Sequence, residues 1–191
     1  MSYATYITEA MVCGTRHRNG ADSSFLLFTR EAGMLFADAK SVREERSRQR
    51  YALQDFSLVR VSLIRGKSGW RIGSIEALDN YYNAASDKAA RGSVVKIMRL
   101  LRRFVHGEEP HRQLFDYIKD AFSVLRNNIS ERSFMETVIQ LELMRLLGYV
   151  DGKELPADII DIAPSKLSLY GVIPAKNLDQ LLDKAVNASH L

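Results

Sequence analysis

The chain has 191 residues, 46% of them hydrophobic, and a net charge of +4 from 27 Lys and Arg against 23 Asp and Glu. That length builds one ordinary domain or two small ones, and no apolar run approaches the roughly 20 residues that span a bilayer. The opening Met-Ser-Tyr-Ala-Thr-Tyr lacks a signal-peptide pattern, and the single cysteine, Cys13, excludes an internal disulfide and any cysteine-based zinc site, so the expectation is a cytoplasmic protein.

Thr5–Cys13, Ser24–Thr29, Gly33–Ala39, Phe56–Arg65 and Trp70–Leu78 read as strands. Arg30-Glu31-Ala32-Gly33 reads as a tight turn, with Gly33 supplying a permissive backbone. In Phe56–Arg65, Arg60 and Ser62 fall opposite Val59, Val61 and Leu63, and the parity slip at Leu58-Val59 predicts a bulge. Gly66-Lys67-Ser68-Gly69 reads as a hairpin loop. Five short strands followed only by helical pattern predict a small barrel, and cationic loops on such barrels commonly hold a nucleic-acid backbone.

The composition shifts at Asn80–Ala90, which is read as the domain boundary. Val94, Ile97, Met98, Leu101, Phe104 and Val105 then share one helical face, with Lys96, Arg99 and Arg103 on another, and Gly107 and Pro110 end the helix. A second helix carries Leu114, Phe115, Ile118, Ala121, Phe122 and Leu125. A third opens at Ser133-Phe134-Met135-Glu136, read as a capping box, and stops at Gly148. Leu155–Ile162 reads as a strand or a short helix, and Asn177–Val186 as a last helix. The fold class expected is α+β, with a small five-stranded barrel over 1–79 and a small all-helical domain over 80–191.

Positive charge is concentrated rather than spread. Residues 87–103 carry Lys88, Arg91, Lys96, Arg99, Arg102 and Arg103 against Asp87 alone, while 151–191 are slightly acidic. The run Lys40-Ser41-Val42-Arg43-Glu44-Glu45-Arg46-Ser47-Arg48-Gln49-Arg50 forms a basic loop between the third and fourth strands. Enzymatic signals are poor: there is no phosphate-binding glycine loop and no Gly-x-Ser-x-Gly. His106 and His111, beside Glu108 and Glu109, read as a polar interhelix loop rather than a metal site. Cys13 reads as a small apolar filler at a strand end. No enzyme activity, cofactor or metal is expected.

These residues resemble a family. Tyr6-Ile7-Thr8-Glu9-Ala10-Met11-Val12, Phe28-Thr29-Arg30-Glu31-Ala32-Gly33, Ala39-Lys40 with Arg43, and Leu53-Gln54-Asp55-Phe56-Ser57 follow the order of motifs in the N-terminal domain of the bacterial recombination mediator RecO. Leu141–Gly148 with Tyr149 resembles the helix ending in Leu-Gly-Tyr in the same family. The resemblance covers residues 3–78 well and 93–150 more loosely. It implies an OB-fold followed by a helical domain, binding of single- and double-stranded DNA, and strand annealing. It further implies recombinase loading with RecR and the acidic C-terminal tail of single-strand binding protein, in a bacterial, nucleoid-associated setting. The chain departs from the pattern at Ser41, where glycine is usual, and at Asp55, where proline is usual. Glu44 and Glu45 dilute the basic loop. The four-cysteine zinc module of many members is absent, so 151–191 read as a reduced C-terminal region.

Lys40, Arg43, Arg46 and Arg48 are the first candidates for DNA contact, on a mobile loop that clamps phosphates. Arg50 is a candidate partner of Glu44 or Glu45. Arg16, His17 and Arg18 are assigned to the first hairpin loop, and Arg65, Lys67 and Arg71 flank the last; Arg16, Arg18, Arg65, Lys67 and Arg71 join the DNA set. Charged hairpin tips that serve only solubility are the competing reading. Trp70 and Tyr51 either stack on bases or belong to the core. Lys96, Arg99, Arg102 and Arg103 extend the DNA track, receive an acidic peptide, or form a solvated helix face. The alternative function is a protein-interaction adaptor whose helical domain docks an acidic peptide or partner subunit, with weak DNA affinity.

Overall fold

A computed structural model describes residues 5–18, 20–127, 129–169 and 176–188. Five strands, β1 (Thr5–His17), β2 (Ser23–Thr29), β3 (Gly33–Ala39), β4 (Ser57–Gly66) and β5 (Gly69–Asn80), close into a barrel in the order β1-β2-β3-β5-β4. Every neighbouring pair is antiparallel except β3 and β5, which pair in parallel. This is an OB-fold barrel, followed by helices.

Alternation explains the closure. Ala10, Val12, Phe25, Leu27, Leu35, Ala37, Val59, Val61, Leu63 and Trp70 point inward and form one apolar core. The bulge expected at Leu58/Val59 is present, and others fall at Val61/Leu63 and at Val12/Gly14. The last corrects the reach of β1. Cys13 does not end the strand: the chain bulges there and pairs on to His17, so Arg16 and His17 lie in the strand and Arg18 begins the turn.

Between β3 and β4 the chain is not a mobile loop. The Ser41 N–H donates to Asp22 Oδ1 at 2.8 Å, the Arg43 N–H donates to the Ala21 carbonyl at 3.0 Å, and Val42 is buried in the barrel core. A short helix α1 (Gln49–Ala52) follows, and Gln49 Nε2 donates to the Gly73 carbonyl at 3.0 Å. A loop with its backbone bonded to its neighbours and a side chain in the core is held, not free.

Helices α2 (Lys88–Phe104), α3 (Arg112–Leu125), α4 (Arg132–Leu146) and α5 (Lys176–Ala188) follow, with short 3-10 turns at Gly152–Glu154, Ala157–Ile159 and Pro164–Leu169 in place of a strand near 155–162. The chain divides into two compact units, Met1–Ala84 with Val105–Phe115, and Ala85–Phe104 with Asp116–Leu191. In the first, the 105–115 segment packs on the barrel: the Met34 N–H donates to the Gly107 carbonyl at 2.8 Å, Phe28 meets Phe115 at 5.4 Å between centroids, and Glu31 accepts from Arg112 Nε at 2.7 Å.

In the second unit α4 is central and packs against α2 and α5, every residue from Phe134 to Met144 being buried. The capping box is not formed. The N-cap is Glu131, with no side-chain cap bond, so Ser133 already lies inside the helix. Glu136 instead accepts from Ser93 Oγ at 2.5 Å and pairs with Lys96. Gly148, at φ +81°, ends the helix, and the Tyr149 N–H donates to the Met144 carbonyl at 2.8 Å. No helix among the described residues is long and apolar enough to cross a membrane.

Candidate nucleic-acid interface

A row of Cα partners crosses four strands: Arg16 to Ser24, Ser24 to Asp38, Asp38 to Arg71. Their neighbours Phe25, Ala37 and Trp70 sit in the core, so period-two alternation turns the row to the outer face. Arg16 lies 4.3 Å over the ring of Phe36, itself an exposed aromatic on the same face of β3. Arg18 pairs with Asp38 at 3.1 Å. The parallel contact of β3 with β5 thus brings Arg71, at the start of β5, next to Asp38 and its partner Arg18, and onto the same outer row as Arg16 at the end of β1. Lys67 is exposed in the β4–β5 turn. Phe36 was not singled out from the sequence, though its parity opposite Leu35 and Ala37 marks it as outward.

Arg65 and Trp70 behave differently. Arg65 lies 4.8 Å over the Trp70 ring and pairs with Glu108. Trp70 is 8% exposed, meets Tyr6 edge-on at 5.5 Å, and is therefore core rather than a stacking surface.

The held segment after β3 presents Lys40, Arg43 and Arg48 to solvent, with no side-chain ion pair among the described residues. Arg46 is already engaged: its Nε donates to Glu44 Oε2 at 3.0 Å. Hydrogen bonds from Ser41 and Arg46 hold the Glu44 carboxyl below the usual carboxylate range. Arg50 pairs with neither Glu44 nor Glu45. It donates to Tyr51 Oη at 2.7 Å and lies 4.7 Å over that ring, leaving Tyr51 62% exposed.

These elements also frame a groove of about 560 Å³ at the barrel mouth. Phe25, Val42 and Leu53 contribute apolar surface, and Gln54 and Asp55 contribute polar groups, with Arg43, Arg50 and His17 also on its lining. Thr15 Oγ1 donates to Asp55 Oδ1 at 2.8 Å and joins β1 to the start of β4. Sequence reasoning missed this groove because its lining converges from three separated segments.

In the second unit the helix cations divide. Lys96 is tied to Glu136, and Arg103 Nη2 donates to the Val186 carbonyl at 3.1 Å. Arg99 and Arg102 are exposed, without an ion pair among the described residues. Among those residues no group of three or more His, Cys, Asp or Glu is arranged to hold a metal.

No family model matches the chain. Individual proteins do. A DNA repair protein RecO from Clostridium novyi (strain NT) is 27% identical over 143 residues, covering 74% of this chain and 56% of the relative. The RecO of Desulfitobacterium hafniense (strain DSM 10664 / DCB-2) is 26% identical over 144 residues, 75% of this chain and 52% of its own length. That of Rubrobacter xylanophilus is 25% identical over 170 residues, 85% of this chain and 68% of the relative. The chain spans about half the length of the first two of these curated relatives. Read with a closed five-strand barrel followed by helices, the chain is similar to DNA repair proteins named RecO over about three quarters of its length.

Proposed function

We propose that the chain is a non-catalytic DNA-binding mediator of recombination in DNA repair. It binds single and double strands, promotes annealing, and assists recombinase loading with RecR and single-strand binding protein. The observation that carries the reading is the outward row in which Arg16 and Arg71, with Arg18 beside them, cross the β2–β3 face next to the exposed Phe36. Guanidinium groups neutralise phosphates, and an exposed ring offers a face to a base. Lys40, Arg43, Arg48 and Lys67 add charge from the connecting segments. Two strands covered this way repel each other less, so their bases can pair. Little sequence preference is expected, because contacts to phosphates carry no base information.

Arg99 and Arg102 on α2 are proposed to meet DNA or an acidic partner tail. The adaptor reading draws support from Lys96 and Arg103, which are held by groups within their own unit.

The test is binding of a fluorescent single strand across a salt series, comparing wild type with Arg16→Ala/Arg71→Ala and with Lys40→Ala/Arg43→Ala. Salt-sensitive binding that both variants weaken supports the reading. Absence of binding at low salt overturns it and favours the adaptor.

A further inference from the structure

We infer that the barrel-mouth groove receives a single base from a single strand, with its phosphate outside at Arg43; this rests on the DNA-binding reading above. The volume of about 560 Å³ lies within the range of sites that enclose small organic ligands. Phe25, Val42 and Leu53, all nearly buried, form an apolar floor beneath a ring. The polar edge of a base then meets groups with unused capacity. Thr15 bonds only one oxygen of Asp55, so the carboxylate can still accept from a ring or exocyclic N–H. Asn83 Nδ2 donates to Gln54 Oε1 at 3.3 Å, which leaves the Gln54 amide hydrogens to donate to a base carbonyl.

Charge fixes the orientation. Arg43 and Arg50 share the groove lining with Asp55; Arg50 is held over Tyr51, so the Asp55 carboxylate repels a phosphate from the interior while Arg43, exposed and without an ion pair among the described residues, attracts one to the rim. The base therefore enters and the backbone stays outside. Tyr51, 62% exposed beside Arg50, offers an adjoining face for a neighbouring base.

The experiment compares an oligothymidylate of about 12 nucleotides, a length suited to one barrel, with an abasic strand of equal length and charge. The proteins are wild type, Gln54→Trp, which fills the groove from an exposed position, and Gln54→Ala, which leaves it open. Wild type should bind the strand with bases about tenfold more tightly than the abasic strand. Gln54→Trp should lose most of that difference yet bind the abasic strand as wild type does, and Gln54→Ala should keep most of it. Equal binding of both strands by wild type overturns the inference and leaves the phosphate-binding reading standing. So does a base-dependent gain that survives in Gln54→Trp or disappears only in Tyr51→Ala. Failure of wild type to bind either strand overturns both.

Discussion

The Cβ that alanine would add at Gly33 falls 2.4 Å from the carbonyl oxygen of Glu109. The same Cβ meets the Gly107 carbonyl oxygen at 2.6 Å, and Gly33 also holds φ at +61°. Steric crowding and backbone strain therefore add at one position. Gly33→Ala should cost about 3 kcal/mol or more, read as a lowered midpoint in urea unfolding. An unchanged midpoint would mean that residues 107–109 do not lie against this turn.

Ser41 carries φ +50°, a conformation that glycine adopts at little cost. The resemblance already pointed to glycine at this site. Ser41→Gly should leave stability unchanged or raise it by about 0.5 kcal/mol, while Ser41→Val should lower it by roughly 1–2 kcal/mol. Paired thermal melts decide this, and a stable Val variant would contradict the geometry.

On the proposed DNA-binding reading, Glu44 competes with the phosphate backbone for Arg46. Removing its charge by Glu44→Gln should strengthen single-strand binding at low salt by about threefold and steepen the salt dependence by a fraction of one contact. Arg46→Ala should weaken binding less than Arg43→Ala, whose guanidinium has no carboxylate partner among the described residues. The reverse order in a salt titration would show that the Arg46–Glu44 pair does not persist in solution.

Glu142, 2% exposed on its side chain, accepts from Arg145 Nε at 2.7 Å and from Nη2 at 2.6 Å. Those bonds also push the guanidinium pKa upward. Arg145→Met leaves a buried carboxylate without its cation and should cost roughly 3–5 kcal/mol; adding Glu142→Leu should recover much of that loss. A double-mutant cycle in chemical unfolding measures the coupling, and additive losses would argue against it.

The hydroxyl of half-buried Tyr117 is itself buried near Glu142 and has no hydrogen-bond partner among the described residues. Burial first, then the charges of Glu142 and Asp120, push the phenol pKa upward. The folded pKa thus exceeds the unfolded one, about 10. Stability from this group is complete below that value and is lost as pH rises above it, because only the unfolded chain ionises easily. Tyr117→Phe should be neutral or stabilising by about 1 kcal/mol near pH 7. Its stability should also fall less between pH 9 and 11 than that of wild type, by roughly the same amount. Identical alkaline slopes would rule the buried phenol out as the cause.

Local pattern reported what local forces decide. β3 was legible to the residue, from the Gly33 turn to Ala39, because a glycine turn followed by a short apolar run marks a strand locally. The bulge at Leu58/Val59 was legible as a parity slip. Ser133 misled for a local reason as well: its sequence suits a cap, but the N-cap lies two residues earlier, at Glu131, and Glu136 bonds to α2 instead of to its own backbone. What no window of sequence carries is convergence. Asp38 meets Arg71 only because β3 and β5 pair in parallel, and Thr15 meets Asp55 across forty positions. The burial of Val42 turned an apparently free loop into a fixed rim, and that depended on a neighbouring core no local count could supply.

Residues 105–115 belong to the barrel's unit although the whole of α2 separates them from β5. During synthesis, then, all five strands leave the ribosome before the segment that packs over Gly33. Until it arrives, the Met34 N–H lacks the Gly107 carbonyl, and Phe28 lacks Phe115. A nascent chain stalled near Asn80 would hold a barrel with an unfinished side, open to chaperones and to other chains. The first unit matures only after part of the second has been made, so the two cannot be completed strictly in turn.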